Sequence, residues 1–278
     1  MTNDPWLPTS FDPIPFAAVH QGDYSVVVAQ TAQEVIEAQR LRYEVFCLGL
    51  GLGMSEEKQR LHRDGDAFDA VCDHLLVRHH ASESASPRIV GTYRLLRDVH
   101  MPNIGRYYSE SEFNIDCLKA YDGHILELGR SCTHPEVRSK VAMQLLWRGI
   151  GEYIMHHKID VMFGCASFAG DDPSQHAEAL SYLYHEHRAP QHLCPRALPD
   201  HYAPMDSIPA EQIDKKKAFF ALPPLIKGYL RIGGCVGEGA FLDHDFSTTD
   251  ILIVVRTQGV GEKYMQKYAP DSMAGGGA

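Results

Sequence analysis

The run Leu126-Glu127-Leu128-Gly129-Arg130 places a carboxylate three positions ahead of a guanidinium inside an apolar stretch. A carboxylate so placed can serve as a general base, taking a proton from an amine directly or through water. In a regular strand the two side chains point to opposite faces, and a bulge would change that. Arg42, Asp69, Asp73 and Arg94 read as a second set. Guanidinium groups can hold the α-carboxylate of an amino acid, and a carboxylate can receive its side-chain ammonium. The competing reading is structural. Glu127 and Arg130 would then be ion-pair partners for Arg42 or Arg94, and Asp69, Asp73 and the arginines a buried network pinning the first helix to a sheet.

Regular elements must position these groups. Residues 1–22 are Pro-rich and aperiodic and are expected to lie as an arm over the domain. Residues 24–30 are β-rich. Thr31-Ala-Gln-Glu34 then fits a capping box, and Val35, Ala38, Leu41, Val45 and Leu48 follow at helical spacing, so Arg42 and Phe46 share one face. Residues 54–68 are charged and turn-rich, a mobile loop on this reading. Strands are expected over 72–79 and 88–96, then a loose segment of ~25 residues, long for a connection. A strand at 125–131, a helix at 138–158, a strand at 161–168 and a helix at 174–188 come next. Residues 230–242 and 249–257 read as a hairpin. The whole predicts one α/β domain over 23–257 and a flexible tail over 258–278; the element order is neither doubly wound nor a barrel.

Composition narrows the partners. The chain has 278 residues, 44% apolar, with a formal charge of -10, which argues against nucleic acid as a general partner. No run approaches the ~18–20 apolar residues of a membrane span, and the start lacks a basic region before an apolar stretch. A cytoplasmic protein is expected. The seven cysteines form no C-x-x-C pair, and His79-His80, His156-His157 and His185-x-His187 lack a second ligand cluster at zinc-like spacing. No metal is expected. Ser167 lacks a G-x-S-x-G elbow, and no cysteine has a recognisable histidine partner, so direct transfer is preferred to an acyl-enzyme.

The element order is similar to the GNAT architecture, an α+β fold with a mixed central sheet flanked by helices. In that fold a V-shaped opening beside a central strand holds the donor's pantetheine arm. The segments Leu41-Arg-Tyr-Glu-Val-Phe46, Cys72-Asp-His-Leu-Leu-Val77, Val90-Gly-Thr-Tyr-Arg-Leu-Leu96, Leu126-Glu-Leu-Gly-Arg-Ser-Cys132, Phe163-Gly-Cys-Ala-Ser-Phe168 and Phe246-Ser-Thr-Thr-Asp-Ile-Leu-Ile253 resemble those of the ornithine acyl-ACP N-acyltransferases. A thinner resemblance, through Arg42, Phe46, Asp66, Asp69, Arg94, Glu127 and Arg130, reaches the acyl-homoserine-lactone synthases.

The first resemblance implies transfer of a 3-hydroxyacyl chain from acyl carrier protein to the α-amine of ornithine or a similar amino acid, the first step toward an ornithine lipid. It implies Glu127 and Arg130 as catalytic groups, Arg42, Phe46, Asp69, Asp73 and Arg94 at the acceptor, and Arg138, Ser139, Lys140, Ser167 and Phe168 at the donor. No resident cofactor is expected, since the donor carries its own 4'-phosphopantetheine. Val141 and Met143 stand where ordinary acetyltransferases carry glycines that let backbone N–H groups approach a pyrophosphate. A phosphopantetheine arm has a single phosphodiester and asks less of the helix N-terminus at Arg138-Ser139-Lys140. An acidic carrier protein calls for a basic landing patch, with Arg138, Lys140, Arg148 and Lys215 to Lys217 as candidates. The apolar stretch 218–226 reads as core, tunnel wall or a membrane-touching lip, the last suiting a peripheral enzyme at the inner membrane face. Glutamine or lysine as acceptor, a lactone synthase, and a non-catalytic module binding acyl-ACP or lipid remain as alternatives.

Overall fold

A computed structural model describes residues 4–81, 86–137 and 140–258. β1 (Val19–Gln21) turns at Gly22, whose φ of 56° favours glycine, into β2 (Tyr24–Val28). α1 (Ala32–Arg42) is capped by Thr31, which accepts the Glu34 N–H, and runs on through a wider π-helical segment at Tyr43–Gly49. α2 (Glu56–Leu61) and a 3-10 turn at Ala67–Ala70 lead to β3 (Asp73–His79) and β4 (Arg88–Arg97). The connection to the centre of the sheet holds a 3-10 turn at Tyr108–Ser111, β5 (Phe113–Asn114) and α3 (Asp116–Lys119). β6 (Ile125–Thr133), α4 (Lys140–His157), β7 (Val161–Ala169) and α5 (Ala177–His187) follow. The remainder comprises β8 (Arg196–Ala197), β9 (Tyr202–Ala203), α6 (Lys215–Ala221), α7 (Pro224–Arg231), β10 (Cys235–Val236), β11 (Ala240–Asp243) and β12 (Thr248–Arg256).

The large sheet runs β1-β2-β3-β4-β6-β7-β12-β11-β9, with β10 also on β12, while β5 and β8 form a separate ribbon. Period-two alternation sends successive residues of β3 to opposite helices. Leu75 belongs to the buried cluster that holds Leu145, Leu146 and Ile150 of α4, and Leu76 to the one that holds Val35, Ala38 and Leu41 of α1. Burying each such leucine contributes about 1.5–3 kcal/mol, so the sheet is clamped from both faces.

The only parallel pair among the described strands is β6 with β7, and it is short. Pairing runs Ile125↔Val161, Leu126↔Met162, Glu127↔Phe163, although both strands continue well beyond. Past that point β6 stays with β4 and β7 with β12. At the parting, a Cβ on Gly164 would lie 2.1 Å from the Leu128 carbonyl oxygen, so no other residue permits this approach of the two chains. Opposite β4, the register passes from Thr92↔Cys132 to Arg94↔Gly129. β6 therefore carries an extra residue, a bulge in which Arg130 adopts φ 54°.

Several expected boundaries move. The arm contributes edge strand β1 and docks firmly: Asp4 pairs with Arg63 at 2.6 Å and the Trp6 carbonyl accepts from Gln39 at 3.0 Å. Residues 54–68 are ordered by α2 and by buried Arg63 and Asp64. Residues 230 and 231 end α7 instead of opening a strand, and the hairpin is β11 with β12. The expected tail lies outside the described residues apart from Gln258, as do Arg138 and Ser139.

Candidate active site

Where β6 and β7 part, a cavity of about 280 Å³ opens, lined by Phe46, Arg94, Glu127, Arg130 and Ser167 among others. Glu127 is the last β6 residue paired with β7 and is 5% exposed. Its two oxygens accept from the backbone N–H groups of Tyr108 (2.8 Å) and Ser109 (2.7 Å), at the start of the 3-10 turn. Burial pushes its carboxyl above the usual glutamate range, against these hydrogen bonds, which stabilise the anion. A buried, oriented carboxylate whose proton affinity is raised is suited to accept a proton.

The bulge brings Arg130 to the same cavity as Glu127. Its guanidinium lies over the Tyr108 and Phe246 rings at 5.2 and 5.3 Å, and 3.8 and 3.9 Å from oxygens of Asp64 and Asp66. Its Nε makes no hydrogen bond among the described residues. Neither Arg42 nor Arg94 pairs with Glu127. Arg94 binds Asp66 at 2.6 Å and Asp69 at 3.4 Å, and stacks on Phe68 and Tyr108.

Arg42 and Asp69 stand behind the cavity wall. Arg42 grips both Asp69 oxygens, at 2.8 and 2.6 Å, and donates through Nε to the Asp64 carbonyl at 3.0 Å. The pair is 1% and 0% exposed. Burial alone would raise the Asp64, Asp66 and Asp69 carboxyls; the neighbouring guanidinium groups hold them below the usual range instead. Asp73 separates from this set. It faces Arg97, 3.5 Å away, and accepts from the Tyr153 hydroxyl.

On the donor side, Phe168 is buried in the core with α4, and Val141 and Met143 pack against that core. Lys140 opens α4. Lys215 and Lys217 pair with Glu186 and Glu178 of α5, at 2.9 and 2.8 Å. The stretch 218–226 is divided: Ala218 and Ile226 are buried, Leu225 lines the cavity, and Phe220 is 67% exposed.

Three acids on the cavity wall escaped the sequence reading: Glu112, Asp243 and Asp250. They lie in three separate segments, and no spacing ties them together. Burial, with the neighbouring Asp250 charge, raises the Glu112 carboxyl to about 8. Burial, with Asp243, raises Asp250 to about 6.

A domain family described as Acetyltransferase (GNAT) domain matches residues 41–148, the stretch that runs from the end of α1 through β3, β4 and β6 into the first half of α4. Together with the split β6/β7 pair, this defines an acyltransferase of the GNAT class. The L-ornithine N(alpha)-acyltransferase of Rhizobium meliloti (strain 1021) is 46% identical, over 88% of this chain and 84% of that one. The enzyme of the same description from Brucella abortus (strain 2308) is 42% identical over 90% of each. The chain belongs to the L-ornithine N(alpha)-acyltransferase family. Among solved structures, the AHL synthase LasI covers 85% of this chain and 93% of its own at 13% identity and a TM-score of 0.45, too loose a likeness to bear on function.

Proposed function

We propose that this protein transfers a 3-hydroxyacyl group from the phosphopantetheine thioester of acyl carrier protein to the α-amine of ornithine. The observation that carries this reading is Glu127, fixed by two backbone N–H groups at the point where β6 and β7 part and the cavity begins. The family's description supplies the acceptor.

Thioester aminolysis needs a neutral amine held in line with the carbonyl. Glu127 takes the proton as the amine nitrogen attacks. The C–N bond forms, the C–S bond breaks, and the proton passes to the departing thiolate. Arg130, whose Nε on the cavity wall makes no hydrogen bond among the described residues, holds the acceptor's α-carboxylate, and Arg94 adds positive potential beside it. Cys165 also lines the cavity, but burial drives its thiol well above the usual range, which opposes an acyl-cysteine route. The apolar side chains of Val141 and Met143 at the start of α4 favour a donor with one phosphodiester over one with a pyrophosphate.

Among the described residues no helix is long and apolar enough to cross a membrane. Exposed Leu48 and Leu50, beside a cavity that Leu50 helps line, suit a peripheral membrane contact for delivery of a lipid product; vesicle flotation of the intact chain checks it.

The activity is tested by incubating the protein with 3-hydroxyacyl-ACP and, separately, ornithine, glutamine, lysine or S-adenosylmethionine, with products read by mass spectrometry. N-acylornithine with release of free thiol is the expected result. A lactone from S-adenosylmethionine, or no turnover with any amine, overturns the reading.

A further inference from the structure

One side of the cavity is lined by three acids that make no ion pair among the described residues. Glu112 follows the 3-10 turn at Tyr108–Ser111, Asp250 lies in β12 opposite Ser167 of β7, and Asp243 ends β11 opposite Thr248. One carboxylate oxygen from each lies within 4.8 Å of the others. Glu112 and Asp250 are 4% and 5% exposed, yet Glu112 Oε2 and Asp250 Oδ1 have no hydrogen-bond partner among the described residues. The ion pairs around the cavity gather instead on Asp64, Asp66 and Asp69, which face Arg42, Arg94 and Arg130.

A buried carboxylate without a partner is costly, so it keeps a proton or acquires a cation. Burial raises both carboxyls, Glu112 to about 8 and Asp250 to about 6, so Glu112 is the one that keeps its proton at neutral pH. A ligand that carries a cation inward would replace it. An alkylammonium offers three N–H donors to three carboxylates and needs no further ligands. A hard divalent ion would call for six or more oxygens.

We propose that Glu112 and Asp250, with Asp243 beside them, seat the side-chain ammonium of the amino-acid acceptor and make the enzyme selective for a diamino acid. This rests on the acyl-transfer reading above. Arg130 and the acids lie in one cavity with Glu127, so an acceptor bound by both its ends presents its α-amine to the base. The acidic wall would then reject amino acids whose side chains end in an amide or a methyl group.

The test compares ornithine with norvaline, which has the same carbon chain and no side-chain ammonium. Wild type, Glu112→Gln and Asp250→Asn are each assayed for kcat/KM on both amines with 3-hydroxyacyl-ACP. Wild type should favour ornithine by ~100-fold or more, because norvaline leaves buried acceptors unpaired. Each variant should shrink the ornithine-to-norvaline ratio by at least ~30-fold, a loss comparable to removing one charge-assisted contact. The fold is checked by melting at pH 8, where removing a buried carboxyl should not lower the transition. An unchanged ratio, or activity lost to chelator and restored by a divalent metal, overturns the proposal. If wild type acylates neither amine, the acyl-transfer reading fails, and melting with free ornithine and norvaline decides the acidic seat separately. Stabilisation by ornithine alone, absent in Asp250→Asn, supports it; equal shifts with both amines, or none, overturn it.

Discussion

Glu127→Gln separates the charge of this side chain from its shape. In the native site both oxygens accept main-chain N–H groups, at 2.8 and 2.7 Å. The amide turns one of those positions into a donor facing a donor, losing a charge-assisted hydrogen bond of ~1.5–3 kcal/mol. Burial already opposes the ionised form, and glutamine removes that penalty. The two effects offset, so the net change should stay under ~1.5 kcal/mol, roughly 3–6 °C of melting temperature. Turnover should fall far more. A positioned general base contributes roughly 10²–10⁴ in rate, or ~3–5 kcal/mol of barrier. The assay is single-turnover release of thiol from 3-hydroxyacyl-ACP in the presence of ornithine. Because the base must be ionised, the wild-type rate should fall as pH drops through the raised Glu127 value, and the variant should lack that limb. Stability moves the other way. A raised carboxyl stabilises the fold most below its unfolded pKa of about 4.3 and loses that contribution as pH rises through the folded value. The melting difference should therefore shift in favour of Glu127→Gln as pH rises. A variant that keeps more than about a tenth of the rate and the acid limb refutes Glu127 as the base.

The two glycines of the split should behave oppositely. Gly164→Ala puts a methyl 2.1 Å from the Leu128 carbonyl oxygen and should cost at least ~3 kcal/mol, a drop of roughly 6–12 °C by circular dichroism. Gly129→Ala meets nothing within 4 Å and should melt like wild type while slowing acyl transfer, since its methyl enters the cavity. If Gly164→Ala melts normally, the close approach of the strands is not as described. Asp69→Asn takes from the buried Arg42 guanidinium the carboxylate it grips with two hydrogen bonds, leaving it Asp64, and should cost ~3–5 kcal/mol in guanidinium unfolding at pH 7. The Asp69 carboxyl is held low, so its contribution is present above the unfolded value and is lost as pH falls through the folded one. The gap from wild type should narrow toward acid; a constant gap would place its cause elsewhere.

Much of the frame was legible because periodicity survives in a single sequence. The Thr31 cap, the α1 stripe and the strands around Glu127 all reappear within a few residues. The misreadings share a physical cause. Asp64 and Asp66 look like part of a solvated charged loop, since acids are seldom buried; their guanidinium partners come from Arg42 and Arg94, distant in the chain. Residues 230–242 mix apolar and glycine positions that suit a strand, yet the turn begun at Pro224 carries the helix through Arg231. The sequence raised the bulge at Arg130 only as a conditional, because one extra residue in a register leaves no mark on composition. Glu112 and Asp250 meet only through the pairing of β12 with β7 and the fold of the 97–124 connection.

The left-handed backbone at Arg130 has a consequence for how this protein can be improved. A residue with a Cβ at φ 54° gives up about 1 kcal/mol or more relative to glycine. Stability alone would therefore favour glycine here, and a search for thermostable variants would be drawn to this position. The same exchange would empty the space between Tyr108 and Phe246 and remove the cation facing Asp64 and Asp66. Selection for heat resistance and selection for turnover should thus part company at this one residue.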